Sequence, residues 1–176
     1  MKLPERFKLH IAITLFVMAF IFIQSALPGD LSGVESGLIV RFLVDLTGLE
    51  AGSLSLVVRK TAHFLEDLVL GFCLAVNVRD WKWTRISRTP DALDVPQASA
   101  SAHSSAVSAA LNARLMVLAW LIGTAYAVTD EIHQLFVPDR ACAFADVCID
   151  ATGVAVGVVM CVMKGESRSR SSQNPK

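Results

Sequence analysis

The stretch Asp130-Glu131-Ile132-His133-Gln134-Leu135-Phe136-Val137-Pro138-Asp139-Arg140 puts two carboxylates, an imidazole and an amide at the end of an apolar segment long enough to cross a bilayer. A charged side chain at the centre of a membrane helix costs about 2.5–3.5 kcal/mol, so such groups usually face a cavity or a partner. Two further apolar segments carry matching clusters: Arg59, Lys60, His63, Glu66 and Asp67 in one, Asp146 and Asp150 in the other. His63 or His133 can serve as general acid or base, because imidazole titrates near neutral pH. Glu66, Asp130, Glu131 and Asp150 can orient it, or hold a divalent cation that clamps a phosphate. Arg59, Lys60 and Arg140 are the candidates for holding an anionic headgroup, and Ser25, Gln134 and Asp146 are further substrate-binding candidates, Asp146 also joining the carboxylates that can orient the histidine or hold a cation.

At 100° per residue, Arg59, Lys60, His63, Glu66 and Asp67 fall within an arc of about 120°. Asp130, His133 and Gln134 fall within about 100°, with Glu131 to one side. Asp146, Asp150, Gly153 and Gly157 share about 60°. Each segment therefore has one polar face, and the arrangement that satisfies all three turns them inward. At 1.5 Å per residue, Glu66 lies about 9 Å below Lys60, Asp130 about 10 Å below Val137 and Asp150 about 9 Å below Phe144. Ser25 lies at the corresponding end of the first apolar segment. The opposite half of the bundle reads as almost purely apolar.

The elements that must position these groups are membrane helices. The 176-residue chain is 53% hydrophobic, with a mean hydropathy of +0.52 and its apolar residues in long runs. It reads as one all-α domain, an integral membrane four-helix bundle over residues 9–163. Its helices are expected at about 9–27, 54–78, 115–137 and 144–163, punctuated by Pro28, Gly29, Pro138 and Gly165. The first span is too long for a signal h-region, and Gln24-Ser25-Ala26-Leu27 is a poor cleavage site, so it reads as uncleaved. Lysines and arginines concentrate in the N-terminal tail, the second connection and the C-terminal tail, placing both termini in the cytoplasm. Residues 79–113, with the Ser/Ala-rich piece Ala98 to Ala110, read as a flexible cytoplasmic loop, and 164–176 as a disordered tail. In the first outer connection, Leu38, Ile39, Phe42, Leu43 and Leu46 recur at helical spacing opposite Arg41 and Asp45. This is either an interfacial helix or an ordinary amphipathic connector.

Several classes are excluded. The net charge is zero and no arginine-rich stretch occurs, so nucleic acid is not a partner. Cys73, Cys142, Cys148 and Cys161 form no CxxC pair and read as small apolar fillers. Gly153 and Gly157 read as a close helix-packing face. Near the polar end, Glu66, Asp67, Asp130, Glu131, Asp146 and Asp150 outnumber the bases Arg41, Arg59, Lys60 and Arg140 by two. A divalent cation, a substrate amine or shared protons would relieve that excess.

Arg59-Lys60-Thr61-Ala62-His63-Phe64-Leu65-Glu66 resembles the RKxAHFxEY signature of the VanZ-like family. The stretch Asp130 to Arg140 resembles that family's DExHQxFxPxR element, Asp146, Asp150 and Gly153 its DxxxDxxG pattern, and Ser25 with Pro28 its SxxP helix end. The resemblance covers essentially residues 9–163, with Asp67 standing where the family usually has tyrosine. It implies a small polytopic protein of the bacterial plasma membrane, in a family whose namesake is associated with resistance to teicoplanin, a lipid-tailed glycopeptide.

Three functions fit these residues. The first is an outward-facing enzyme, a hydrolase or transferase acting on membrane lipid or a lipid-linked envelope precursor. The second is a non-catalytic binder of a lipid headgroup or a glycopeptide antibiotic. The third is a scaffold in which the polar residues join helices.

Overall fold

The computed structural model describes residues 3–27, 29–86, 97–138, 140 and 143–173, and their side chains except at 29–36, 82–86, 97–108 and 166–173. Among the described residues there are five helices and no strand: α1 (Glu5–Ser25), α2 (Gly29–Thr47), α3 (Ala51–Ile86), α4 (Gln97–Gln134) and α5 (Phe144–Gln173). Four of them, α1, α3, α4 and α5, are long and apolar enough to cross a membrane. Of the expected punctuation, Pro28 lies outside the described residues. So do Asp139 and Cys142.

Local chemistry sets the helix ends. α2 stops at Gly48, whose φ of 68° is the left-handed conformation that a glycine adopts without a Cβ clash, and whose N–H bonds to Val44 O at 2.8 Å. α4 ends three residues earlier than its apolar run, at Gln134. Tighter bonds from Leu135, Phe136 and Val137 to the carbonyls three residues back then wind the chain toward Pro138.

Two expectations are corrected. The loop anticipated over 79–113 is helical wherever it is described: α3 continues to Ile86 and α4 begins at Gln97. Its alanines have the highest helix propensity, and joined to the apolar span beyond they extend it instead of breaking it. The tail anticipated as disordered is likewise helical through Gln173, with 174–176 outside the described residues. The periodic segment after the first span forms α2, which packs on α3. Val40 is buried, while Leu38, Ile39, Phe42 and Leu46 are exposed.

α3 is the hub, touching α1, α2, α4 and α5, and its most extensive partner is α5. A Cβ on Gly157 would overlap the carbonyl of Leu68, and one on Gly71 would overlap that of Val154. These glycines let two backbones meet, as expected of the Gly153/Gly157 face, with α3 and α5 running in the same direction. Below them Ala75, Ala119, Val154, Val158 and Cys161 form a small-residue core. Cys73, Cys148 and Cys161 are free thiols. Large apolar side chains such as Phe16, Phe136 and Met163 point outward, while Ser25, Asp67, Asp130, Glu131, Gln134 and Asp150 are buried. Polar groups inside and hydrocarbon outside is the distribution that a lipid solvent demands.

The far half of the bundle is not purely apolar. Asn77 Nδ2 donates to Thr14 Oγ1 at 2.5 Å and to the carbonyls of His10 and Cys73, and His10 Nδ1 lies 2.7 Å from Asp80 Oδ2. Spaced singly along two apolar runs, these residues form a cluster only when α1 packs on α3.

Candidate functional site

The C-terminal ends of α1 and α4 and the N-terminal halves of α3 and α5 meet at one end of the bundle. Three linkages fix this meeting. Ser25 Oγ, on α1, donates to Asp130 Oδ2 on α4 at 2.5 Å, and Gln134 Nε2 adds a bond to the same oxygen at 3.2 Å. Lys60 on α3 forms an ion pair with Asp146 in the first turn of α5. Beyond α4, Arg140 reaches back to cap α1, Nε donating to Leu27 O at 3.2 Å and Nη2 to Gln24 O at 3.3 Å. Carbonyls at a helix C-terminus lack intrahelical donors and carry partial negative charge, so a guanidinium suits them.

Between these linkages is a pocket lined by Arg59, Lys60, His63, Glu131, Gln134, Arg140, Asp146, Ile149 and Asp150. Three cations and one imidazole thus share a wall with three carboxylates. The free space is about 10 Å³, room for about one water. Burial, with Arg59 close by, presses the Arg140 guanidinium below its ordinary range. An anion seated between the two guanidiniums would relieve that repulsion.

The remaining anticipated residues take other places. Glu131, besides lining the pocket, accepts a bond from the Ala143 N–H at 3.2 Å, which caps the start of α5. Asp130 and Ser25 form the buried floor between α1 and α4. His133 stacks on Phe22 of α1, ring centroids 4.3 Å apart, and is not among the pocket-lining residues. Glu66 is half-buried and outside the lining. Arg41 is exposed on α2.

Asp67, left out of the candidate set, is 2% exposed and lies against the α5 backbone, 3.3 Å from where a Cβ on Gly153 would be. Its spacing of four from His63 was the available signal. One carboxylate oxygen each of Asp67, Asp130 and Asp150 is buried with no hydrogen-bond partner among the described residues, as is His133 Nε2. Buried polar atoms are rarely left bare, so these mark places for waters or for the donors of a ligand. Among the described residues no three His, Cys, Asp or Glu side chains converge as a metal-ligand set. The divalent cation considered from the sequence therefore has no prepared shell in this part of the molecule.

Nothing among curated proteins or solved structures matches the chain. The family model described as VanZ/LLP1 matches residues 10–165, a span that contains all four apolar helices' contributions to the pocket and its floor. On that match, the chain belongs to the VanZ/LLP1 family.

Proposed function

We propose that this protein recognises the anionic headgroup of a lipid-linked envelope substrate in the pocket around His63, and moves a proton to or from it through that imidazole. The observation that carries the reading is the lining itself: Arg59, Lys60 and Arg140 share one pocket with His63 and the carboxylates of Glu131, Asp146 and Asp150. Guanidiniums offer paired donors to phosphate oxygens, and an imidazole beside them can protonate a leaving oxygen or activate a water. The one-water space means that a headgroup enters by displacing side chains. Lys60, long and 39% exposed, is the obvious one to move. In the orientation set by the basic tails and the second connection, both termini are cytoplasmic and the pocket opens to the outer face of the bacterial plasma membrane.

A second reading is a binder that does no chemistry. The small free volume and the commitment of Arg140 to a helix cap favour it. Either reading accommodates an effect on susceptibility to a lipid-tailed glycopeptide, through altered envelope lipid or through capture of the drug.

Purified protein in nanodiscs, offered undecaprenyl phosphate and its diphosphate, separates them. Arg59→Gln is expected to weaken binding tenfold or more. His63→Gln is expected to keep binding and to slow turnover by about 10²–10⁴. Binding without turnover in the unaltered protein selects the second reading, and no binding of either lipid rejects both.

A further inference from the structure

Past the glycine contacts, α3 and α5 carry a second concavity on the outside of the bundle. Leu68, Val69 and Phe72 form one side, and Met160, Met163 and Lys164 the other, around a volume of about 480 Å³. That is within the range of about 300–1,000 Å³ typical of small-ligand sites. Its walls are almost wholly apolar, and the methionines are flexible enough to follow an irregular chain. All six wall residues lie within two of the helices long and apolar enough to cross a membrane, and Val69, Met160 and Met163 are exposed on the outside of the bundle, so hydrocarbon is the expected surrounding.

The charged end is what gives this groove a specific occupant. Lys164 Nζ lies 5.7 Å from the centre of the Phe72 ring. Arg79 Nη1 lies beside Gly165, 3.6 Å from where a Cβ would stand. Gly165 directly follows Lys164 in α5, so both cations stand at this end of the groove. Among the described residues the acid at this level is Asp80, whose Oδ2 lies 2.7 Å from His10 Nδ1 and which makes further interactions. Along α5, Lys164 is about 30 Å from Phe144 and about 21 Å from Asp150. A 30 Å separation matches the hydrocarbon thickness, so the ammonium lies at the headgroup level of the face opposite the His63 pocket.

We propose that this groove holds an acyl chain of an anionic phospholipid, with its phosphate held by Lys164 and Arg79. The site is separate from the His63 pocket and stands whether or not that pocket is catalytic.

The test is lipid retention by the full chain. Protein from nanodiscs of equal phosphatidylglycerol and phosphatidylcholine is released into mild detergent and weighed by native mass spectrometry. One phosphatidylglycerol is expected to be retained about tenfold over phosphatidylcholine. The pair Lys164→Gln with Arg79→Gln should bring that ratio to about one, while Arg41→Gln, exposed on α2 and outside both sites, leaves it unchanged. Met160→Trp, which fills the groove, should remove both lipids. If it does not fold, the charge variants decide alone. Equal retention by the unaltered protein, a preference that survives the double substitution, or crosslinking of a second copy through Met160 and Met163 would overturn the proposal.

Discussion

Ser25 and Asp130 are 105 residues apart in the chain and joined by a 2.5 Å hydrogen bond, both side chains buried. This bond ties the end of α1 to α4 beneath the pocket. Ser25→Ala removes the hydroxyl, leaving Asp130 with Gln134 as its remaining side-chain donor in this group. Removing one partner of a buried hydrogen bond costs about 1–3 kcal/mol. The variant should unfold at a lower temperature in detergent by a corresponding amount, with Ser25→Thr much less affected. An unchanged midpoint in Ser25→Ala would show that the tie contributes nothing.

Gly157 lies where the backbones of α3 and α5 meet, and Gly37 on α2 has nothing within 4 Å of a built Cβ. Gly157→Ala should destabilise by at least about 1–3 kcal/mol, since the Leu68 carbonyl is backbone and cannot swing aside. Gly37→Ala should be neutral or slightly stabilising, because alanine has the higher helix propensity. Denaturant titration of the two variants in the same detergent compares them directly, and equal behaviour would contradict the close approach.

Lys60 and Asp146 link α3 to α5 at the pocket rim, their side chains 39% and 21% exposed. Partial exposure limits the pair to about 0.2–1 kcal/mol of coupling in a double-mutant cycle. The coupling should shrink on going from 0.01 M to 1 M salt, as screening shortens the reach of exposed charges. Reversal, Lys60→Asp with Asp146→Lys, should recover most of the stability that either single reversal loses.

Arg140 donates to the carbonyls of Gln24 and Leu27. Arg140→Lys keeps the charge but cannot reproduce two divergent donors on a planar fork. Amide hydrogen exchange should speed up in the last turn of α1, while the first turn of α5, capped through Glu131, stays protected. Equal acceleration at both places would mean that the substitution loosens the whole end of the bundle.

How far the site was legible in the sequence is clearest on α4. Periodicity gathers Asp130, Glu131, His133 and Gln134 on one side of the helix, and the same argument makes both histidines candidates for one pocket. In the structure that side is shared between two neighbours. Asp130 and His133 turn toward Ser25 and Phe22 of α1, whereas Glu131 and Gln134 line the pocket with residues of α3 and α5. A helical wheel states angles about one axis and carries no information on which helix lies at which angle. His10, Thr14, Asn77 and Asp80 make the complementary case. His10 and Thr14 lie one turn apart on α1, and Asn77 and Asp80 one turn apart on α3; neither pair shows its partner, and only the packing of α1 on α3 brings them together.

By itself the sequence determined that the chain is helical, which four segments are apolar enough to cross a membrane, and that their polar residues gather toward one end. Those properties follow from hydropathy and from a 3.6-residue period, both of which act along a single segment. It also marked Gly153 and Gly157 as a packing face, because small residues at that spacing leave no other reason to be aligned. Tertiary structure alone decided that α3 is the partner on that face of α5, and that Arg140 caps α1 while lining the pocket. It alone divided the two histidines, leaving His63 in the pocket and His133 against an aromatic ring. These are contacts between segments up to 116 residues apart. They are set by which backbones can approach closely, a property of pairs of helices that no one helix encodes.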